Sequence, residues 1–297
     1  MNFKRKIKIY FKFIRPFAFV GIFFVVAINA VIAIKATSQF DYEIHVILLG
    51  ALAVALLASA ANTLNNIFDK QIDAINKPFR ALPAGEISNK EAVGITIFLY
   101  FLSFFLVFQI NIHFFIIYLI MFFITIFYSC PPFVFKKNFY LAYFFLALTR
   151  GLLVILAGWS LVGSINYVLP WYLGIIFFFF LLGSSATKDF LDVEGDKKNN
   201  FSTLPVKFGV KKSGKIIAPF ILSPFILIPF GVVLDILNIK VLFLMLFVFY
   251  AFYIISLMFK KPAKRTVFDN NHISWKHIYI LYIILHLSFL FVYLVSV

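Results

Sequence analysis

Apolar residues fall in nine blocks along the chain, at about 17–34, 44–62, 92–110, 112–130, 139–162, 166–187, 216–234, 241–259 and 277–297. Each block is long enough to cross a hydrocarbon core of about 30 Å as a helix rising about 1.5 Å per residue. Two polar stretches between them are long, 63–91 and 188–215, and the other connections are short. The pattern predicts an all-α membrane protein of nine transmembrane helices forming one domain over residues 1–297, with the two long loops capping one face. Composition agrees: 63% of the 297 residues are hydrophobic and 13% charged, about half the charged share of soluble domains. A soluble globular protein is excluded.

The net charge of +15 raises the question of a nucleic-acid partner, which the positions of the cations answer. The N-terminus and every second connection carry 6, 4, 2, 7 and 5 Lys or Arg, whereas the opposite side has only Lys35 and Lys240, and Arg150 lies inside a span. This is the positive-inside asymmetry of a multi-pass membrane protein, with the N-terminus cytoplasmic and the C-terminus on the other side. The basic balance therefore reports orientation in the bilayer, and no nucleic acid is implied. The run from Lys4 to Lys12 before the first span resembles the start of a signal peptide, but the 18 apolar residues that follow exceed an h-region of about 7 to 15. Cys130 is the only cysteine, so neither a disulfide within the chain nor a thiolate metal cage is available.

Six of the twelve acids, Asp69, Asp73, Asp189, Asp192, Glu194 and Asp196, crowd into two short clusters within the two long loops. The clusters repeat each other: Asp69 and Asp192, and Asp73 and Asp196, are both 123 residues apart, and Asn66 meets Asp189 at that offset. A four-helix unit used twice with a ninth span appended fits both this register and the hydropathy, as internal repeats do in other membrane folds. The two clusters are then expected to face each other.

If each cluster prolongs its span as a helix, Asn65, Asp69 and Asp73 share one face at i, i+4, i+8, and Asp189, Asp192 and Asp196 share another at i, i+3, i+7. Glu194 points elsewhere. Stacked oxygen donors without His or Cys favour Mg²⁺, which shares its shell readily with phosphates. Lys70, Arg80, Lys136 and Lys188 lie in or beside the same loops, where they can grip a diphosphate. A solvated loop accounts for any one of these acids but not for two matched sets at one membrane depth.

The pattern NxxxDxxxD at Asn65, Asp69 and Asp73, with DxxDxxxD at Asp189, Asp192 and Asp196 on nine spans, resembles the UbiA superfamily of intramembrane prenyltransferases. The runs DAINKPFRALPAG (Asp73 to Gly85), YSCPPFVFKKN (Tyr128 to Asn138) and VEGDKKNNFSTLPVKFG (Val193 to Gly209) are similar to family segments. The resemblance implies two Mg²⁺ held between the motifs, a prenyl diphosphate donor of C15 to C20 and alkylation of a lipophilic acceptor. It implies Asn65, Asp69, Asp73, Asp189, Asp192 and Asp196 as metal-side ligands, with Asp69, Asp73, Asp192 and Asp196 central to catalysis. It assigns Lys70, Arg80, Lys136 and Lys188 to the diphosphate.

Two positions depart from the family pattern: Asn66 stands where many members have Asp, and Asn200 where many have Gly, Asn being the next residue best able to adopt positive φ. The motif segment is most similar to the digeranylgeranylglyceryl phosphate synthase and chlorophyll synthase branches, so the acceptor is expected to be geranylgeranylglyceryl phosphate or an aromatic or quinone precursor. Arg15, Arg150 and Tyr128 are candidate acceptor contacts, with Arg150 alternatively pairing a motif carboxylate. The competing classes are a transporter, which would place polar groups near mid-membrane, a phosphoalcohol transferase, whose fuller DG and AR signature is absent, and a silent lipid or quinone binder. No protein partner is implied.

Overall fold

The computed structural model describes residues 3–38, 42–163, 165–260 and 271–295, and these are nearly all helical. A basic helix α1 (Phe3–Ile14) precedes the first span, α2 (Pro16–Thr37). The second span α3 (Ile44–Phe68) runs into a short α4 (Lys70–Asn76), and α5 (Asn89–Val107) and α6 (Ile112–Ser129) follow. The fifth and sixth spans are α7 (Phe139–Ser160) and α8 (Val168–Asp189), and the short α9 (Val193–Lys198) and α10 (Leu204–Phe208) follow α8. The last three spans are α11 (Val210–Val233), α12 (Ile239–Phe259) and α13 (Ile273–Val295). Nine helices among the described residues are thus long and apolar enough to cross a membrane, as the hydropathy predicts. Helices are required there because lipid offers no partner for exposed backbone N–H and C=O groups.

The helices overrun the apolar blocks on the motif side. α3 continues to Phe68 instead of ending near 62, α11 begins at Val210 instead of 216, and α13 at Ile273 instead of 277. Hydropathy falls where polar side chains begin, whereas a helix ends where its backbone ladder does. The repeat is visible in the element bounds, since Pro16–Thr37 and Phe139–Ser160 have equal length and lie 123 residues apart, as do the motif aspartates.

α2, α3, α7, α8 and α13 are more buried than α5, α6, α11 and α12, so the former make the inner wall and the latter face lipid. Exposed Phe98, Phe101 and Phe105 on α5 and Phe249 and Phe252 on α12 are lipid-facing rings of the kind the Phe-rich composition suggests. α2 packs on α3, α7 and α13, and α7 on α8, closing the inner set around a central space. Gly151 allows the α7–α8 contact: a Cβ there would lie 2.7 Å from the backbone N of Phe178. The same stretch of α7, Leu148–Leu153, is a π turn, a distortion frequent at functional sites, and it carries Arg150.

α1 is not a loose basic tail. Arg15 adopts φ 58°, Pro16 starts α2, and the break folds α1 back so that Ile9 and Phe13 bury against Ala81, Leu82, Ile87 and Ala92. Lys6 Nζ lies 2.6 Å from Glu91 Oε1, and Tyr10 donates to the same oxygen at 2.7 Å.

Candidate active site

The first motif is held by an almost unbroken helix. Asp69 N donates to Asn65 O at 2.9 Å and Asp73 N to Asp69 O at 2.7 Å, so the i, i+4, i+8 face expected from the spacing exists across the α3–α4 junction. The second motif differs. α8 tightens into a 3₁₀ turn at Ser185–Asp189, and Asp192 then opens α9, with Asp192 N donating to Asp189 O at 3.1 Å. Three-residue spacing suits that tighter turn.

Each motif carboxylate meets a specific partner. Lys136 Nζ lies 2.5 Å from Asp69 Oδ1 and 3.2 Å from Asn65 Oδ1, while Asn65 Nδ2 donates to Asp69 Oδ2 at 2.8 Å. Arg80 Nη1 reaches both oxygens of Asp73, at 2.6 and 2.7 Å. Lys77 Nζ lies 2.8 Å from Asp192 Oδ2 and donates to Asn271 Oδ1 at 3.0 Å. Tyr143 OH donates to Asp189 Oδ2 at 2.8 Å, and Thr203 Oγ1 to Asp196 Oδ2 at 3.2 Å.

The motifs also bind each other, through two residues that reading for acids does not single out. Asn76 Nδ2 donates to the Asp192 carbonyl at 2.9 Å and to Asp196 Oδ1 at 3.3 Å, and its Oδ1 accepts from Gly195 N at 2.9 Å. A Cβ at 195 would lie 2.5 Å from Asn76 Oδ1, so any larger residue there displaces the Asn76 amide. Lys77 ties α4 to the second motif in the same way. Its signal was present in the spacing, since the four-residue ladder of Asn65, Asp69 and Asp73 continues to Lys77.

All six expected metal-side residues line one cavity of about 790 Å³, within the size range of small-molecule sites. Arg80, Lys136, Lys188, Arg15, Arg150 and Tyr128 line it as well, and Asn76 and Lys77 join them. Lys70 does not. Its exposed Nζ donates to Asn89 Oδ1 at 2.9 Å, because one residue past Asp69 the helix turns the side chain outward. Glu194 is also outside, paired with Lys198 at 2.7 Å, as its place off the motif face requires. Lys188 donates to Tyr128 OH at 3.2 Å. Arg15 Nη2 donates to Asn66 Oδ1 at 2.9 Å, so the amide that replaces the family's Asp faces α2's start. Arg150 Nη2 lies 3.5 Å from Asn62 Oδ1, and among the described residues it pairs with no carboxylate. The turn expected at Asn200 is made, at φ 59°.

Burial sets the electrostatics of the rim. It holds Asp73 above the usual carboxylate range although Arg80 pulls the other way. Asp196 is pushed up to about 8 by burial and by the charges of Asp189 and Asp192. Burial lowers the Lys136 ammonium against the opposing pull of Asp69. Such crowding of negative charge suits a divalent cation, and the described lining holds no His or Cys. Among the described residues no three acidic, His or Cys side chains converge tightly enough to cage a metal by themselves. That fits Mg²⁺, which keeps waters, takes one or two carboxylates and completes its octahedron with substrate phosphates. Asp69 and Asp73 from one motif, and Asp192 and Asp196 from the other, line the cavity together.

Away from the acids the cavity becomes apolar, with Val54, Leu57, Ala58 and Ala61 of α3, Met121 and Ile124 of α6 and Leu146 of α7 in its wall. A charged rim over a greasy shaft suits an amphiphile with an anionic head.

The chain is similar to known proteins over most of its length. The digeranylgeranylglyceryl phosphate synthase of Saccharolobus solfataricus is 30% identical over 239 residues, 80% of this chain and 83% of that protein. That of Methanocaldococcus jannaschii is 31% identical over 268 residues, 89% of this chain and 90% of that protein. A solved structure of digeranylgeranylglyceryl phosphate synthase superposes with a TM-score of 0.66 at 30% identity, covering 97% of this chain and 98% of that one. A UbiA homologue from Archaeoglobus fulgidus bound to GPP and Mg²⁺ shares the fold, with a TM-score of 0.70 at 23% identity over 95% of this chain and 99% of that one. The sequence model of the UbiA prenyltransferase family matches residues 21–275, and the chain belongs to that family.

Proposed function

We propose that this protein transfers a geranylgeranyl group from its diphosphate to the hydroxyl of geranylgeranylglyceryl phosphate. The observation that carries the reading is the pair of aspartate motifs facing each other over one apolar cavity, in a chain about 30% identical to synthases of that lipid. Mg²⁺, when bound, would offset the charge of the diphosphate and make it a better leaving group. Arg80, Lys136 and Lys188 are the cations at the rim for its outer oxygens, and the apolar wall excludes water from the allylic carbon. The C1–O bond breaks with its electron pair leaving on diphosphate. The acceptor oxygen bonds to C1, and its proton leaves with the diphosphate.

In this reading the motif face is cytoplasmic, as the lysine and arginine asymmetry indicates, the C-terminus lies on the other side, and residues 1–297 act as one domain. The test is transfer of label from geranylgeranyl diphosphate into geranylgeranylglyceryl phosphate by the purified, bilayer-embedded protein, with Mg²⁺ and with chelator. A chelator-sensitive diether of the expected mass supports the reading. Absence of product with every donor from C10 to C20, and of Mg²⁺-dependent donor binding, refutes it.

A further inference from the structure

One helical turn inward from the carboxylates, the cavity wall carries a second polar layer. Asn62 precedes Asn65 by three residues on α3, and Ser184 and Ser185 precede Lys188 and Asp189 at the end of α8; all three line the cavity. Asn62 Nδ2, Ser184 Oγ and Ser185 Oγ are each buried without a hydrogen-bond partner. Buried polar atoms are nearly always paired, and one left over in a native site calls for a ligand or another explanation. All three line the same cavity, on the two helices that carry the motifs, so one ligand accounts for them.

Two further observations define what fits. Asn62 and Ser185 are 123 residues apart, the offset of the motif aspartates, so the repeat continues one turn deeper on the two helices that bring the motifs in. Arg150 Nη2 lies 3.5 Å from Asn62 Oδ1. A guanidinium only donates, so the amide end facing it is the oxygen, and Nδ2 is the end left for a ligand. The layer therefore offers an amide donor and two hydroxyls that both donate and accept. A hydroxyl uses that set fully, accepting from Asn62 and donating to a serine. A hydrocarbon chain uses none of it, and the cations placed for a diphosphate lie a turn closer to the rim.

We infer that Asn62, Ser184 and Ser185 hold the acceptor's hydroxyl beside C1 of the donor. This rests on the transferase reading above and adds the residues that place the acceptor oxygen. Asn62 and the serines move no proton permanently. The acceptor O–H oxygen bonds to C1 as the C1–O bond to diphosphate breaks, and the proton leaves with diphosphate. Arg150 acts through Asn62 as a positioning residue.

The experiment compares wild type, Asn62→Leu, Ser185→Ala and Ser184→Ala in bilayers with Mg²⁺, geranylgeranyl diphosphate and geranylgeranylglyceryl phosphate. It measures diether and free geranylgeraniol by mass, together with KM for the donor. Misplacing a nucleophile by about an ångström costs on the order of 100-fold in rate, so diether formation by Asn62→Leu should fall about that far. Donor KM should stay within about twofold, since no donor contact is removed. The ratio of geranylgeraniol to diether should rise at least about tenfold as water captures the ionised donor instead. Ser185→Thr, which keeps the hydroxyl, should restore the wild-type ratio.

An unchanged product ratio, or a donor KM rising in step with the rate loss, overturns the inference and leaves the transferase reading intact. A wild-type product joined through carbon to an aromatic acceptor, with no diether, overturns both. If Asn62→Leu fails to fold, the two serine-to-alanine variants, which remove one oxygen each, decide by the same ratio.

Discussion

Replacing Lys77 by Met tests the ion pair that locks the motifs together. The ammonium lies 2.8 Å from Asp192 Oδ2, with side-chain exposures of 7% and 13%. At an effective dielectric of about 20, that separation corresponds to a gross attraction of about 6 kcal/mol, most of it offset by desolvation of the two ions. Deleting one partner leaves Asp192 largely buried without its counter-ion, which typically costs about 3–5 kcal/mol. For a chain of this length that is a fall of about 6–10 °C in unfolding midpoint. The assay is thermal unfolding in detergent without Mg²⁺. The double variant Lys77→Met/Asp192→Asn should recover at least about half of the loss, because the stranded charge is gone. Mg²⁺ with a non-hydrolysable diphosphate analogue should raise the midpoint of Lys77→Met by more than that of wild type. A shift below about 1 °C, or a double variant no better than the single, refutes the reasoning.

Two more substitutions separate the cations at the rim from the one outside it. Lys136→Met, which removes a cavity-lining ammonium, should raise donor KM about tenfold, whereas Lys70→Met should leave it within about twofold; steady-state kinetics decides. Asp196 provides a pH signature. Its folded-state pKa of about 8 lies above the unfolded value, so the metal-free fold keeps a proton that the unfolded chain has released. Its contribution to stability is therefore fully present below about pH 4 and is lost as pH rises through 8. Mg²⁺ must displace that proton, so apparent Mg²⁺ affinity should rise toward pH 8, and Asp196→Asn should flatten both profiles.

The number of spans, the repeat and the aspartate faces were legible in the chain itself, because each rests on a local rule. A span must be apolar over its length, a helix repeats every 3.6 residues, and Asp69 and Asp192 carry their offset in the numbering. The expected facing of the motifs followed from the repeat alone. What the chain does not carry locally is which way a side chain near a helix end turns and what it meets. Lys70 and Lys77 are both lysines of the first loop and, seven residues apart, nearly share a helical face, yet one faces solvent and the other, 6% exposed, is buried against Asp192, because α4 ends at Asn76 and docks on α9.

α1 shows the same division. Its basic and apolar residues are plain in the sequence, but the left-handed turn at Arg15 and the pocket formed by Ala81, Leu82 and Ile87 decide that it folds back. His272 is buried at 2% exposure with Nδ1 2.7 Å from Ser274 Oγ. Asn62, Ser184 and Ser185 read as ordinary span residues until the packing of α3, α7 and α8 encloses them without partners. Periodicity and hydropathy are properties of neighbours along the chain, so the sequence alone determined the spans, the repeat and the chemistry of the acids. Pairing and enclosure join residues about 90 to 190 positions apart, and only the tertiary structure decides which of them meet.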